Sequence, residues 1–283
     1  MSKIVENQPK RGLLADPESL AALPRAVVAW QASYRPGEAL PAHRHRRAQL
    51  VYAAEGMMRV TTPDGSWLVP PQRAVWVPPG TDHSIRMSSA VSMRTLYIDG
   101  EKARRMPSRC CVLSVSPLLR ELILRAMELP TLYEIEGPQG RLMRVILDEI
   151  RTLPSLPLHL PTPGERRLVQ LCRALLRDPG DRRGIEEWGR DIGASGRTLA
   201  RLFRRETGMS FGAWRQQARL IEALARLGAG EPVTHVALDL GYESPSAFTA
   251  MFRRALGVTP SRYFDAPPSR VEGRARTRIS PPA

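Results

Sequence analysis

A pattern that occurs twice near the C-terminal end constrains this chain more than any other feature. Residues 234–264 read THVALDLGYESPSAFTAMFRRALGVTPSRYF, and at helical period Val236, Ala237 and Leu240 form one apolar face. Gly241 breaks that helix, since glycine takes a left-handed conformation without steric cost. Ser244 follows as an N-cap, with Pro245 at the first helical position, where its missing N–H costs nothing. Phe248, Met251, Phe252 and Leu256 then make a second apolar stripe, opposite Ser246, Thr249, Ala250, Arg253 and Arg254.

Alone, this reads as a helical hairpin with a solvated basic face. A second copy upstream changes the weighing. Residues 184–205, GIEEWGRDIGASGRTLARLFRR, repeat the plan: Ile185, Trp188 and Ile192 inward, a turn at Gly193, a cap at Ser195, then Leu199, Leu202 and Phe203 inward. The caps Ser195 and Ser244 stand 49 positions apart, and the units end alike, RRETGMSF against RRALGVTPSRYF. Each unit is a helix-turn-helix, whose second helix has the shape to enter a DNA major groove.

At SGRTLARLFRRETGMS and LGYES…F…MFRRALGVTPSRY the chain closely resembles the AraC/XylS-type transcription regulators, over residues 165–264. The resemblance implies a double helix-turn-helix domain with double-stranded DNA and RNA polymerase as partners. On the first recognition helix the DNA-contacting candidates are Ser195, Arg197, Thr198, Ala200, Arg201, Arg204 and Arg205. Arg197 and Arg201 sit one turn apart near its N-terminal end, and arginine bonds guanine O6 and N7 bidentately. Thr198, Arg204 and Arg205 suit phosphates, which set register. On the second, the resemblance puts base contacts at Ser246, Thr249 and Ala250, with Arg253 behind them. Ala250 is too short to hydrogen-bond but fits a thymine methyl. The first unit is therefore expected to carry more direct readout, and Thr249 and Arg253 to meet phosphates.

A formal charge of +14 over 283 residues favours a polyanionic partner. Lys3, Lys10 and Lys102 are the only lysines, so nearly all of that charge is arginine, which a GC-rich coding sequence also produces. Three cysteines, Cys110, Cys111 and Cys172, make neither a disulfide framework nor a zinc motif and suit a reducing cytoplasm. The adjacent pair is either redox-active or simply two buried thiols. No apolar run reaches membrane-spanning length, and no signal core precedes residue 24. No membrane is expected among the partners, and the expected location is cytoplasmic.

Residues 25–100 alternate short Val-, Trp-, Tyr- and Thr-rich runs with turns such as Pro63-Asp64-Gly65, which predicts an antiparallel β-sandwich or barrel ending near Asp99. Within it, Gly37, five residues, His43-Arg44-His45, three more to Gln49 and six more to Gly56 resemble the first cupin motif, with Gln in place of Glu. Pro78-x-Gly80-x-x-His83 resembles the second, with Met87 where Asn is usual. The resemblance implies a small sensor barrel. His43 and His45, read at i and i+2 on one strand, share a face that His83 could join from a neighbour. With the Gln49 amide oxygen they would hold a divalent transition metal, although Gln49 is a neutral and poor ligand. The plainer reading is that these histidines line an effector pocket or survive from a metal-binding ancestor, and an effector pocket, with or without metal, is the expectation. Arg44, Arg46 and Arg47 are either an anion site or a solvated strand edge.

The expected organisation is two-domain α+β: an N-terminal cupin-like β-barrel with linker helices, then an all-α domain with two helix-turn-helix motifs. Residues 1–24 form a flexible start, 25–100 the effector barrel and 101–152 a helical linker or dimerisation region. Residues 153–164 form a Pro-rich linker, 165–265 the DNA-binding domain and 266–283 a disordered basic tail. In the helical region, PLLRELILRAMEL and QGRLMRVILDEIR, with Leu142, Val145, Ile146 and Ile150 in one stripe, either dimerise the chain or pack back on the barrel. The function these readings support is a sequence-specific regulator whose barrel senses a small molecule or metal, acting as a homodimer. The competing readings are a cupin metalloenzyme carrying a nucleic-acid module, and a constitutive DNA-binding protein with a purely structural barrel. Gln49, Met87 and the lack of paired carboxylates near the histidines weigh against catalysis.

Overall fold

The computed structural model describes residues 23–156 and 158–265. The expected flexible start, nearly all of residues 1–24, and the basic tail at 266–283 lie outside the described residues. Eight strands come first: β1 (Val27–Tyr34), β2 (Ala39–His43), β3 (Ala48–Glu55), β4 (Met58–Thr62), β5 (Gly65–Val69), β6 (Arg73–Val77), β7 (His83–Met87) and β8 (Val91–Ile98). Helix α1 (Gly100–Ala103), strand β9 (Cys111–Ser114), helices α2 (Pro117–Ala126) and α3 (Pro138–Thr152), and strands β10 (Ser155–Leu156) and β11 (His159–Pro161) follow.

The strands form two antiparallel sheets, one in the order β1-β8-β3-β6-β9-β10 and one in the order β11-β5-β4-β7-β2. Their facing sides interdigitate: Val51, Val75, Val77 and Met93 from the first meet Met58, Val60, Trp67, Ile85 and Met87 from the second. The outer side of the first sheet is covered as well. Leu50, Tyr52, Trp76 and Leu96 pack under Leu119 and Ile123 of α2 and Met143, Ile146 and Ile150 of α3. Burial on both sides explains why β3 reads as a nearly unbroken apolar run instead of alternating. Each such large side chain contributes roughly 1.5–3 kcal/mol of transfer free energy.

Three expectations change here, the third only in which residues of α3 are buried. Sandwich strands continue past residue 100, because β9 extends the first sheet beside β6. The Pro-rich segment at 153–164, read as a linker for want of periodicity, supplies edge strands to both sheets: β10 pairs with β9, and β11 with β5. Helices α2 and α3 pack back on the sheet, and the buried stripe of α3 is Gly140, Met143, Ile146, Leu147 and Ile150. Val145 is not in it and stays 43% exposed.

The remaining helices are α4 (Arg166–Arg177), α5 (Ile185–Asp191), α6 (Gly196–Thr207), α7 (Phe211–Gly228), α8 (Val233–Asp239), α9 (Pro245–Leu256) and α10 (Pro260–Asp265). The 18 residues of α7 span about 27 Å at 1.5 Å each. Its buried Trp214, Leu220, Ile221 and Leu224 form the spine on which both helical hairpins sit. No described helix is long and apolar enough to cross a membrane.

Strand β11 also joins the two halves of the molecule. The Trp214 indole N–H donates to Pro161 O at 2.9 Å. Gly164 N–H donates to a Glu206 carboxylate oxygen at 3.3 Å, and the Arg73 guanidinium of β6 lies 5.5 Å from the Tyr263 ring centroid.

Candidate nucleic-acid interface and histidine site

Each hairpin is built by the same local chemistry. Helix α5 stops at Gly193 (φ +69°) and α8 at Gly241 (φ +78°), both in the left-handed region that a side chain strains to occupy. The Ser195 hydroxyl then accepts from Thr198 N–H at 3.1 Å, and the Ser244 hydroxyl from Ala247 N–H at 3.2 Å. Those caps start α6 and α9 at equivalent points of the repeat. Leu199, Leu202 and Phe203 bury the inner face of α6, and Phe248, Met251 and Phe252 that of α9.

What remains outward is the candidate interface. Arg197, Ala200, Arg201 and Arg204 of α6 are exposed, as are Ser246, Ala250 and Arg253 of α9, while Thr249 is half-buried. Among the described residues Arg197, Arg201, Arg204 and Arg253 form no ion pair, which leaves their guanidinium groups available to an outside anion. A concavity of about 460 Å³ lies along the C-terminal half of α6 and the start of α7, lined by Ala200, Arg201, Arg204, Arg205, Ser210 and Phe211. Two candidates are partly engaged within the protein. The Ser195 hydroxyl lies 2.9 Å from the Thr198 hydroxyl, and Arg205 pairs with Glu206 at 2.9 Å. No sequence pattern marks Glu206 as that partner, because the same carboxylate also serves Gly164 across the domain joint.

In the sandwich, the structure brings His43, His45 and His83 together, their donor nitrogens all within 4.8 Å of one another. The expected strand does not carry both His43 and His45. Strand β2 ends at His43, which pairs in register with His83, and His45 lies beyond it in the connection to β3. His45 reaches the cluster all the same, with its ring centroid 4.8 Å from that of His43 and 5.3 Å from that of His83. Gln49, on β3, puts its amide oxygen 3.0 Å from His83 Nε2 and its nitrogen 3.4 Å from the Tyr97 hydroxyl.

The hydrogen bonds fix which nitrogens face inward. His43 Nδ1 lies 2.6 Å from Pro41 O and His83 Nδ1 2.9 Å from Thr81 O, so each Nδ1–H donates to a carbonyl, and in the neutral ring the lone pair is then on Nε2. Both His45 nitrogens are buried with no hydrogen-bond partner in the structure. Burial, reinforced by His43 and His83, pushes His45 down to about 4, and burial lowers His83 as well. Both imidazoles are therefore neutral near pH 7, the form that binds metal.

This set fits a divalent transition metal in three respects. Metal-bound histidines typically anchor their second nitrogen on a carbonyl, as His43 and His83 do. The orphaned nitrogens of His45 need a partner. His83 Nε2 and Gln49 Oε1, both lone-pair donors, stand 3.0 Å apart, close enough that one ion could take both. Without an ion, the Gln49 amide turned end for end would donate to neutral His83 Nε2 and accept from Tyr97.

Of the neighbouring arginines, Arg44 and Arg46 are exposed, but Arg47 is buried and donates to Arg25 O at 2.7 Å and to Leu23 O. It is a structural residue and leaves the basic cluster. A second concavity, about 480 Å³, lies between Tyr133, Met143 and Leu147. It collects no comparable donor set, and two of its charged pairs, Arg144–Glu136 and Arg151–Asp148, are internal.

Comparison with known proteins matches both halves. Residues 26–188 match the AraC-like ligand binding domain, and residues 188–266 a helix-turn-helix domain. The HTH-type transcriptional regulator NimR of Escherichia coli strain K12 is 40% identical over 223 residues, 79% of this chain and 81% of that protein. The HTH-type transcriptional regulator RipA of Corynebacterium glutamicum is 35% identical over 120 residues, 42% of this chain and 34% of that protein. Among solved structures, ToxT from Vibrio cholerae is similar over 85% of this chain and 98% of its own, at 10% identity and a TM-score of 0.36. The chain belongs to the AraC family of transcription regulators, with an N-terminal ligand-binding domain and a C-terminal helix-turn-helix DNA-binding domain.

Proposed function

We propose that α6 reads bases directly and that α9 chiefly fixes register. The observation that carries this reading is the contrast between the outward faces: unpaired Arg197 and Arg201 flank Ala200 on α6, whereas α9 offers Ser246, Thr249 and Ala250. Arg197 and Arg201 bond guanine edges, each good pair giving about 1–3 kcal/mol of discrimination. Thr198, Arg204, Thr249 and Arg253 meet phosphates, with Ala250 against a thymine methyl. Ser195 acts by fixing the start of α6, and Arg205 by its pair with Glu206. The test is selection from random duplexes followed by affinity measurement for Arg197→Ala and Arg201→Ala. Each should lose affinity for the selected duplex and tolerate changes at one guanine; uniform weakening on every duplex would overturn the assignment.

The effector site in this reading is His43, His45, Gln49 and His83, with a divalent metal held by the three imidazoles and the Gln49 amide oxygen. Bound there, the metal would supply a Lewis-acidic anchor for a ligand. The histidine cluster contains no Asp or Glu, which supports sensing over acid–base catalysis and a non-enzymatic regulator. Strand β11, bonded to β5 and to Trp214 of α7, supports transmission of the sandwich's state to the DNA-binding helices. Leu118 of α2 and Val145 of α3, 54% and 43% exposed, support a homodimer joined through these helices. Such a dimer would act on promoter DNA in the cytoplasm together with RNA polymerase.

A further inference from the structure

Gln49 stands where a carboxylate would complete the metal site, and its neutrality decides what else the site binds. Three imidazoles and an amide leave the full charge of a divalent ion uncompensated, where one carboxylate would halve it. No carboxylate within the cluster makes up the difference. Asp82, next to His83 in sequence, is felt by His83 through space but is exposed and outside the cluster, where solvent screens its charge. The Tyr97 hydroxyl lies 3.4 Å from the Gln49 nitrogen and accepts its hydrogen bond. Arg44 and Arg46, on the segment that carries His43 and His45, are exposed and form no ion pair among the described residues. The cluster is also more open on one side, since His43 is only half-buried while His45 and His83 are buried. A low-dielectric site strongly favours neutralising such an excess charge.

Resting on the metal reading above, we infer that the effector is an anionic oxygen donor, which ligates the ion held by His43, His45, His83 and Gln49 and supplies the negative charge the protein leaves out. Arg44 and Arg46 raise its local concentration at the mouth. Binding forms one metal–oxygen coordinate bond from an anion lone pair, and no electron is transferred. The neutral form of the same molecule has no such advantage.

The test loads the full-length protein with cobalt(II), whose visible absorption reports its ligands, and titrates malonate, inorganic phosphate and the neutral malonamide. The expected result is saturable band shifts with malonate or phosphate, at affinities about tenfold or more above malonamide, because a unit charge near the ion is felt even at high dielectric. Whichever anion binds more tightly identifies the carboxylate or the phosphate class. In Gln49→Glu the added carboxylate should retain cobalt and weaken the anion about tenfold. Equal binding of malonate and malonamide by the wild-type chain overturns the inference while leaving the metal site standing. An unchanged anion affinity in Gln49→Glu does the same, and should that variant not fold, the wild-type comparison decides alone. Cobalt bands that are missing, or identical in His45→Ala, overturn the metal reading and this inference together.

Discussion

Replacing Gly193 and Gly241 by alanine should give very different losses, although the two glycines hold equivalent places in the repeat. Both sit near the same left-handed backbone conformation, φ +69° and φ +78°. An alanine there costs roughly 1–2 kcal/mol, offset by about 0.4–1 kcal/mol from the smaller entropy of the unfolded chain. At Gly193 nothing lies within 4 Å of an added Cβ, so Gly193→Ala should cost about 1 kcal/mol. At Gly241 the Cβ would lie 2.7 Å from Gly180 O, a backbone atom. That carbonyl cannot simply retreat, because Arg219 donates to Pro179 O at 2.7 Å and to Asp181 O at 2.9 Å on either side of it. Overpacking of this kind adds about 1–3 kcal/mol, bringing Gly241→Ala to roughly 2–4 kcal/mol. Calorimetry of the full chain reads both, with the helical domain's transition identified by its rise on adding duplex DNA. At about 4–8 °C per kcal/mol for a domain of this size, the two variants should melt roughly 5–20 °C apart. Equal melting temperatures, or a lower one for Gly193→Ala, would refute the steric argument.

Three further outcomes follow from the same geometry. Arg253→Ala should weaken every duplex alike and flatten the slope of log affinity against log salt by about 0.9, the signature of one lost phosphate contact; loss confined to one base would contradict the phosphate role. Ser195→Ala and Ser244→Ala should each cost about 1 kcal/mol of stability through loss of an N-cap, read by urea midpoint. Burial pushes Cys110, Cys111 and Cys172 up to about 12, 11 and 12. Because the thiolate is the reactive form, native protein at pH 8 should alkylate far more slowly than free cysteine, speeding up as pH rises or the chain unfolds. Rapid native labelling would restore a redox role for the adjacent pair.

The helical repeat was legible because its signals are local. A capping serine, a glycine and a three-to-four spacing of apolar residues act within one turn of chain, and Ser195, Ser244, Gly193 and Gly241 sit where that grammar puts them. The histidine spacing was equally visible, yet the strand geometry inferred from it failed at His45, because β2 ends two residues early. Strands β9, β10 and β11 were missed for a different reason. They are two to four residues long, too short for a period, and exist because distant partners on β6 and β5 offer hydrogen bonds. Arg47 looked like one more surface charge in HRHRR. The carbonyls of Leu23 and Arg25, more than twenty residues away, accept from it and so permit its burial.

The most direct test of the account is a footprint of the full-length protein on a duplex selected by it. Two recognition helices held on one rigid α7 should protect two major-groove patches on one face of the DNA, about one helical turn apart. Arg201→Ala should erase the base-specific contact at one guanine of one patch and leave the backbone protection of both in place. A single protected patch, or protection without sequence preference at any salt, would contradict the paired reading on which the account rests.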